Sequence, residues 1–123
     1  MAPKCVIEGV ILKASMLLYP VGETDEGLEF FQKALGLPVK LRDGQCFCVL
    51  DAGGFTVGLV AHEERIVDQP ALVYRVEDIA GTVERLVVAG ASVLVPVTKG
   101  PHEMRAVLRD REGFPLVVTS KLA

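Results

Sequence analysis

The stretch DREGFPLVVT, Asp110 to Thr119, decides the fold because it occurs twice. Residues 51–60 read DAGGFTVGLV, so Asp51, Gly54 and Phe55 stand where Asp110, Gly113 and Phe114 stand. A turn of the form Asp-x-x-Gly ahead of an apolar, β-rich run is ordinary hairpin chemistry. Its return at a fixed offset marks a duplicated unit, and a missed repeat mis-assigns the whole fold.

Working outward, VGETDEGLEFFQKALG (Val21 to Gly36) resembles VEDIAGTVERLVVAG (Val76 to Gly90). Each opens on a valine that ends an apolar run. An acidic residue follows two positions later (Glu23, Asp78), then an amphipathic segment and a closing glycine. The chain therefore reads as strand, helix and three strands, twice over. Residues 14–62 form the first module, 71–120 the second, and the polar EERIVDQP (63–70) the linker, within a single domain spanning 1–123. With half its residues hydrophobic, the chain can bury a sizeable core, but either half alone would be marginal, so the halves share a sheet or an interface.

Composition bounds the function. A net charge of −3 leaves no electrostatic footprint for nucleic acid. Three cysteines, with Cys46 and Cys48 two apart on one predicted strand, do not make a disulfide framework and favour a reducing cytoplasm. The start, MAPK, has no basic region followed by an unbroken apolar segment, and Lys13 interrupts the longest early run, so neither a signal peptide nor a membrane span is expected. Cys5 to Leu12 has no counterpart before the second module and reads as a strand extension, an extra edge strand or a dimer element.

Thr24 or Asp25 is expected to cap the first helix, with Leu28, Phe31 and Leu35 at helical spacing and Gly36 at its end; Asp78 is expected to cap the second, Ile79–Ala89, before Gly90. Strands are expected near 14–21, 38–42, 45–50, 55–62, 71–76, 92–97, 104–109 and 114–120, with a loop TKGPHE at 98–103. Alternation then decides what faces what. Phe55, Val57 and Leu59, like Phe114, Leu116 and Val118, are uniformly apolar and should lie under the helices. Given an even number of residues in the DAGG turn, Cys46 and Cys48 join them as small buried hydrophobes. The opposite parity, Thr56, Gly58, Val60 and His62 against Pro115, Val117 and Thr119, should line a concavity.

With these features in place, the chain resembles the vicinal oxygen chelate superfamily, which holds glyoxalase I, extradiol dioxygenases, fosfomycin-resistance enzymes and bleomycin-resistance proteins. The resemblance runs from about Ala14 to Leu122. It rests on FFQKALGL, on ALVYRVEDI and on GPHEMRAVLRDREGFPLVV, which is similar to the closing segment of bleomycin-resistance-type members. It implies an α+β fold of two tandem βαβββ modules forming a curled mixed sheet around a cleft, commonly in a homodimer. It also implies metal-ligand positions on each module's first and last strands, which fall on Met16, Ala71, Gly58 and Val117. A thioether, a methyl, a hydrogen and an isopropyl group bind no hard or borderline divalent ion. No metal and no other cofactor is therefore expected. Arg105 matches an arginine common in bleomycin-resistance-type relatives, but Ala106 replaces the acidic residue that often follows, so cationic bleomycin is not the expected ligand.

What remains is an apolar concave face: Met16, Leu18, Phe47, Val49, Gly58, Val60, Ala71, Val73, Ala106, Leu108, Val117 and Thr119, with Arg75 at its edge. Such a surface suits a small-molecule ligand. Arg75 either meets an acidic or hydrogen-bonding group of that ligand or extends to solvent. Three functions are compatible with this reading. The first is a metal-independent protein that sequesters an apolar or aromatic small molecule, an antibiotic among the candidates, with no nucleic-acid or membrane partner. The second is a lyase, isomerase or dioxygenase relative that recruits His62, His102, Glu63 or Glu103 as ligands, although charged residues at strand ends and in loops are normally only solvated. In the third, the cleft is filled by its own side chains and the protein acts through protein contacts.

Overall fold

The computed structural model describes residues 13–122. The arm Cys5–Leu12 lies outside the described residues. In chain order the elements are β1 (Lys13–Pro20), α1 (Thr24–Leu28) running on as a π-helical stretch (Glu29–Ala34), β2 (Val39–Asp43), β3 (Phe47–Asp51), β4 (Thr56–Val60), a 3₁₀ turn (His62–Glu64), β5 (Ala71–Arg75), α2 (Ile79–Val88), β6 (Ser92–Lys99), β7 (Met104–Arg109) and β8 (Pro115–Ser120). The eight strands make one curled sheet in the order β2-β3-β4-β1-β5-β8-β7-β6. This is a mixed α+β fold built from two copies of one strand arrangement.

The first strands of the two halves meet at the centre of the sheet. β1 and β5 pair antiparallel, Leu18 opposite Ala71 and Lys13 opposite Arg75, with a bulge between Ala14 and Met16. Each is flanked on its other side by the last strand of its own half in parallel: Leu18 opposite Gly58, and Val73 opposite Val117. Helices cover one face. Cys48, Leu50, Val57 and Leu59 are buried against Leu28 and Phe31 of the first helical segment. Ala106, Leu108 and Val118 pack with Val83 and Leu86 of α2. On the opposite face Leu18, Val60, Ala71, Val73, Val107 and Val117 cluster with Val67 and Ile66 from the connecting segment. That segment is less polar in its role than its composition suggested, because Val67 is buried and closes the core.

The helix starts differ from each other. Asp78 accepts a hydrogen bond from the Gly81 amide (3.0 Å) and caps α2. The first helix begins at Thr24, with Glu23 in the cap position making no side-chain cap bond. Thr24 is instead buried, its hydroxyl donating to the Gln45 carbonyl (3.2 Å) and accepting from Arg42 Nη2 (3.1 Å), so it ties the helix to the β2–β3 hairpin. Asp25 likewise pairs with Arg42 at 2.8 Å rather than capping.

Two expectations about packing, one for Leu35 and one for Phe55 and Phe114, are corrected by the backbone. The wide π turn brings the Leu35 amide onto the Phe30 carbonyl, five residues back, which rotates Leu35 out to 60% exposure. Leu37, beyond Gly36 with its positive φ of 80°, packs into the core instead. Phe55 and Phe114 do not lie under the helices. Each is the last residue of its turn, its carbonyl accepting from Ala52 or Asp110, and both side chains are exposed.

A third correction concerns an entire strand. Asp51 pairs with Thr56 across a four-residue turn, whereas Arg109 pairs with Pro115 across a five-residue one. That extra residue advances β7 by one position relative to β3, and a one-residue shift exchanges the two faces of a strand. Ala106 and Leu108, expected on the concave face, therefore pair with Val118 and Leu116 and are buried beneath α2. Arg105 and Val107 take the concave side in their place. The edge strand β6 continues through Thr98 and Lys99, the first two residues of the expected loop TKGPHE.

Candidate functional site

The concave face encloses a cavity of about 590 Å³. Its apolar surface is contributed by Met16, Leu18, Phe47, Val60, Val73 and Val117, six residues that alternation selects, together with Ile66 and Pro101, which it does not. Arg75 and Thr119, also expected at the site, line it as well. The bulge in β1 allows Ser15 to share the lining with Met16, and the Ser15 hydroxyl donates to the Val73 carbonyl across the strand pair (3.3 Å).

The other expected residues fall outside the cavity for separate reasons. Ala106 and Leu108 are on the opposite face. Ala71 is on the concave face but is sealed into the core with Ile66 and Val67. Gly58 is covered: a Cβ built there would lie 3.0 Å from Met16 Sδ, 3.2 Å from the Phe47 ring and 3.3 Å from a Leu18 methyl. Its neighbour Val49 is buried beside it in the β3–β4 ladder.

The polar rim was largely missed by alternation because most of it comes from loops. Glu63 and Glu64 come from the 3₁₀ turn, Asp43 from the end of β2, Cys46 from the β2–β3 turn, and His102 and Glu103 from the β6–β7 loop. Several of these groups are already engaged. Arg105 donates to Glu64 Oε2 at 2.8 Å, with both side chains more than three-quarters buried. The Cys46 thiol donates to Glu63 Oε2 at 3.3 Å, and that bond, with some burial and the carboxylate's charge, raises the thiol's pKa above its usual value. Cys48, beneath the helix, is pushed up by burial. His102 lies 3.4 Å from Asp43 in an exposed pair. His62, expected in the concavity, adopts φ 52° at the start of the 3₁₀ turn and turns away to Glu23 (2.9 Å), outside the cavity lining.

Two transverse rows of side chains, related by the internal repeat, give the cleft its chemistry. In the second half, Arg105 stands opposite Thr119, Thr119 opposite Arg75, and Arg75 opposite Lys13; all four line the cavity. The corresponding row in the first half is Phe47, Val60 and Pro20, all apolar, of which Phe47 and Val60 line the cavity. Lys13 was absent from the expected site, although its pairing with Arg75 follows from the strand register once β1 is seen to begin there.

The four expected ligand positions carry no side-chain donor that fits a divalent metal. Met16, Gly58, Ala71 and Val117 cluster around the centre of the sheet as the repeat requires, and the space a ligand at Gly58 would use is occupied by Met16, Phe47 and Leu18. Among the described residues no three His, Cys, Asp or Glu side chains gather in a metal-binding group. A large apolar floor with a polar rim can hold an organic molecule and orient it by its polar end.

Comparison with known proteins agrees with this architecture. A Mycolicibacterium smegmatis protein of uncharacterised function is 27% identical over 111 residues, covering 89% of this chain and 95% of the relative. Among solved structures, the NAD-dependent benzaldehyde dehydrogenase from Legionella pneumophila superposes with a TM-score of 0.71 at 18% identity, covering 87% of this chain and 98% of the other. Methylmalonyl-CoA epimerase from Mycobacterium tuberculosis superposes with a TM-score of 0.65 at 16% identity, covering 96% and 93%. At such identities the likeness is one of fold, and a fold carries many chemistries. The sequence pattern of one superfamily matches residues 13–118, through both modules. The chain belongs to the Glyoxalase/Bleomycin resistance protein/Dioxygenase superfamily.

Proposed function

We propose that this protein binds a small organic molecule, apolar or aromatic in its main body, without a metal ion, and that it acts by sequestration. The observation that carries this reading is the 590 Å³ cavity with an apolar floor, to which Met16 and Val117, two of the four expected ligand positions, contribute, while the other two, Gly58 and Ala71, are packed over beside it. Cavities of this size bury most of a drug-sized ligand. Sequestration needs affinity alone, so it tolerates the absence of donor side chains that metal-dependent chemistry requires.

The working form we propose is a homodimer in the cytoplasm, with no nucleic-acid or membrane partner. Val93, Leu94, Val95 and Val97 of the edge strand β6 are all more than a third exposed, and a second copy would cover them. Free thiols at Cys46 and Cys48 suit a reducing compartment. Among the described residues no helix is long and apolar enough to cross a membrane.

A second reading, a metal-dependent lyase, isomerase or dioxygenase relative with non-standard ligands, draws on the His102, Glu103, Asp43, Glu63 and Glu64 rim. Metal analysis of tag-free protein combined with thermal shift against divalent ions and a panel of aromatic metabolites and antibiotics separates the two. A compound at one hundred times its Kd should stabilise the fold by about 2.7 kcal/mol. Stabilisation by an aromatic compound, with no response to metals, supports sequestration. Stoichiometric bound metal that is lost on His102→Ala supports the enzyme.

A further inference from the structure

We infer that the ligand of this cleft is an amphipathic organic anion, its oxyanion head held by Arg75 and Lys13 with the Thr119 hydroxyl beside them. The inference rests on the cleft-binding reading above and adds the charge and polarity of what is bound.

Arg75 and Lys13 are direct cross-strand partners and both line the cavity. Like charges placed opposite one another on a sheet repel and destabilise the pair. Neither forms an ion pair with any described residue, in contrast to Arg105 beyond Thr119 in the same row, which is matched by Glu64 at 2.8 Å. Of the carboxylates lining the cavity, Glu64 is spent on Arg105, Glu63 accepts from the Cys46 thiol and Asp43 faces His102, while Glu103 forms no ion pair with a described residue and sits in the β6–β7 loop. Two adjacent cations with no ion pair among the described residues occur here in a chain whose net charge is −3, so they are not part of a general basic surface.

The neighbouring groups fit the same occupant. Thr119 lies between Arg75 and Arg105 in the row, is 7% exposed, and lines the cavity without a side-chain hydrogen bond to any described residue. Its hydroxyl supplies one more donor for an oxyanion. A guanidinium offers two parallel N–H groups to a carboxylate, sulfonate or phosphate ester, and the lysine supplies a point charge. The body of the ligand then lies over Met16, Leu18, Val60 and Val73 with the Phe47 ring as an aromatic wall.

The test uses two fluorescent probes with one body, anilinonaphthalene sulfonate and its uncharged analogue phenylnaphthylamine, titrated into the full chain at low and moderate salt. The expected result is one site per chain for both, with the sulfonate bound about tenfold more tightly, the worth of one charge-assisted contact. Arg75→Met and Lys13→Met should each remove most of that preference and leave the affinity for the neutral probe, which also reports that the variants are folded. Lys13 is exposed at the start of its strand, so its variant serves if Arg75→Met does not fold. Equal affinity for the two probes, or a preference that survives both substitutions, overturns the anion assignment and leaves cleft binding standing. Failure of both probes to bind overturns cleft binding, and the anion assignment with it.

Discussion

Arg105 Nη1 lies 2.8 Å from Glu64 Oε2, joining a strand of the second module to the 3₁₀ turn that ends the first, with side-chain exposures of only 17% and 23%. At that burial, losing one partner strands the other's charge. Glu64→Ala should lower stability by about 1–3 kcal/mol in urea denaturation. Arg105→Met in the Glu64→Ala background should restore part of that loss, and a double-mutant cycle should give a coupling of about 0.5–3 kcal/mol. Strict additivity of the two losses would show that the contact contributes nothing.

The two helix starts should respond unequally to the same kind of change. Asp78→Ala removes a side-chain cap and is expected to cost about 1 kcal/mol, read as a drop in melting temperature. Glu23→Ala removes no cap bond and only an exposed pair with His62, so its effect should stay within about 0.5 kcal/mol. Thr24→Val, which deletes the buried link to Gln45 and Arg42, should cost more than Glu23→Ala.

Thiol labelling reads the rim directly. In a Cys5→Ser background, Cys46 should react with an aromatic disulfide reagent in the folded state while Cys48, fully buried, reacts only on unfolding. The thiolate is the reactive form, and Glu63 raises the Cys46 pKa. Glu63→Gln should therefore lower that pKa and speed Cys46 labelling at constant pH. An unchanged rate would show that the hydrogen bond is not kept in solution.

Face assignment in β7 gives a fourth test. Leu108→Ala should destabilise by about 2–5 kcal/mol, as expected for a fully buried leucine, without changing the affinity of a cleft ligand. Phe47→Ala should weaken that ligand while costing less stability, since Phe47 is only partly buried. The opposite ranking would place Leu108 in the cleft.

Which parts of this could be read from residues alone follows from how locally each is determined. The repeat exposed the duplicated strand order, and alternation along β1, β4, β5 and β8 brought Met16, Leu18, Val60, Val73, Val117 and Thr119 to the cavity, because period-two geometry is set within the strand. It failed at Ala106 and Leu108, where the parity depended on a turn one residue longer than its counterpart, visible only once Arg109 is paired with Pro115. The Leu35 position was lost to a π turn, a hydrogen-bond choice that spacing does not encode. Cys46, Glu63 and His102 reach the cavity from turns and loops, whose paths depend on what the rest of the chain leaves open, and Asp43 from the last position of β2.

A scaffold made of two matching halves has an ambiguity built into it: an elongated molecule entering the groove could lie in either of two opposed directions with equal comfort. The rows Arg105–Thr119–Arg75 and Phe47–Val60–Pro20 abolish that equivalence. One spare residue in a surface turn sets which β7 side chains look inward, so the duplication yields a groove with a head end and a tail end. A guest with unlike ends, if bound as proposed, would have a single preferred pose, the degeneracy inherited from the repeat having become directionality.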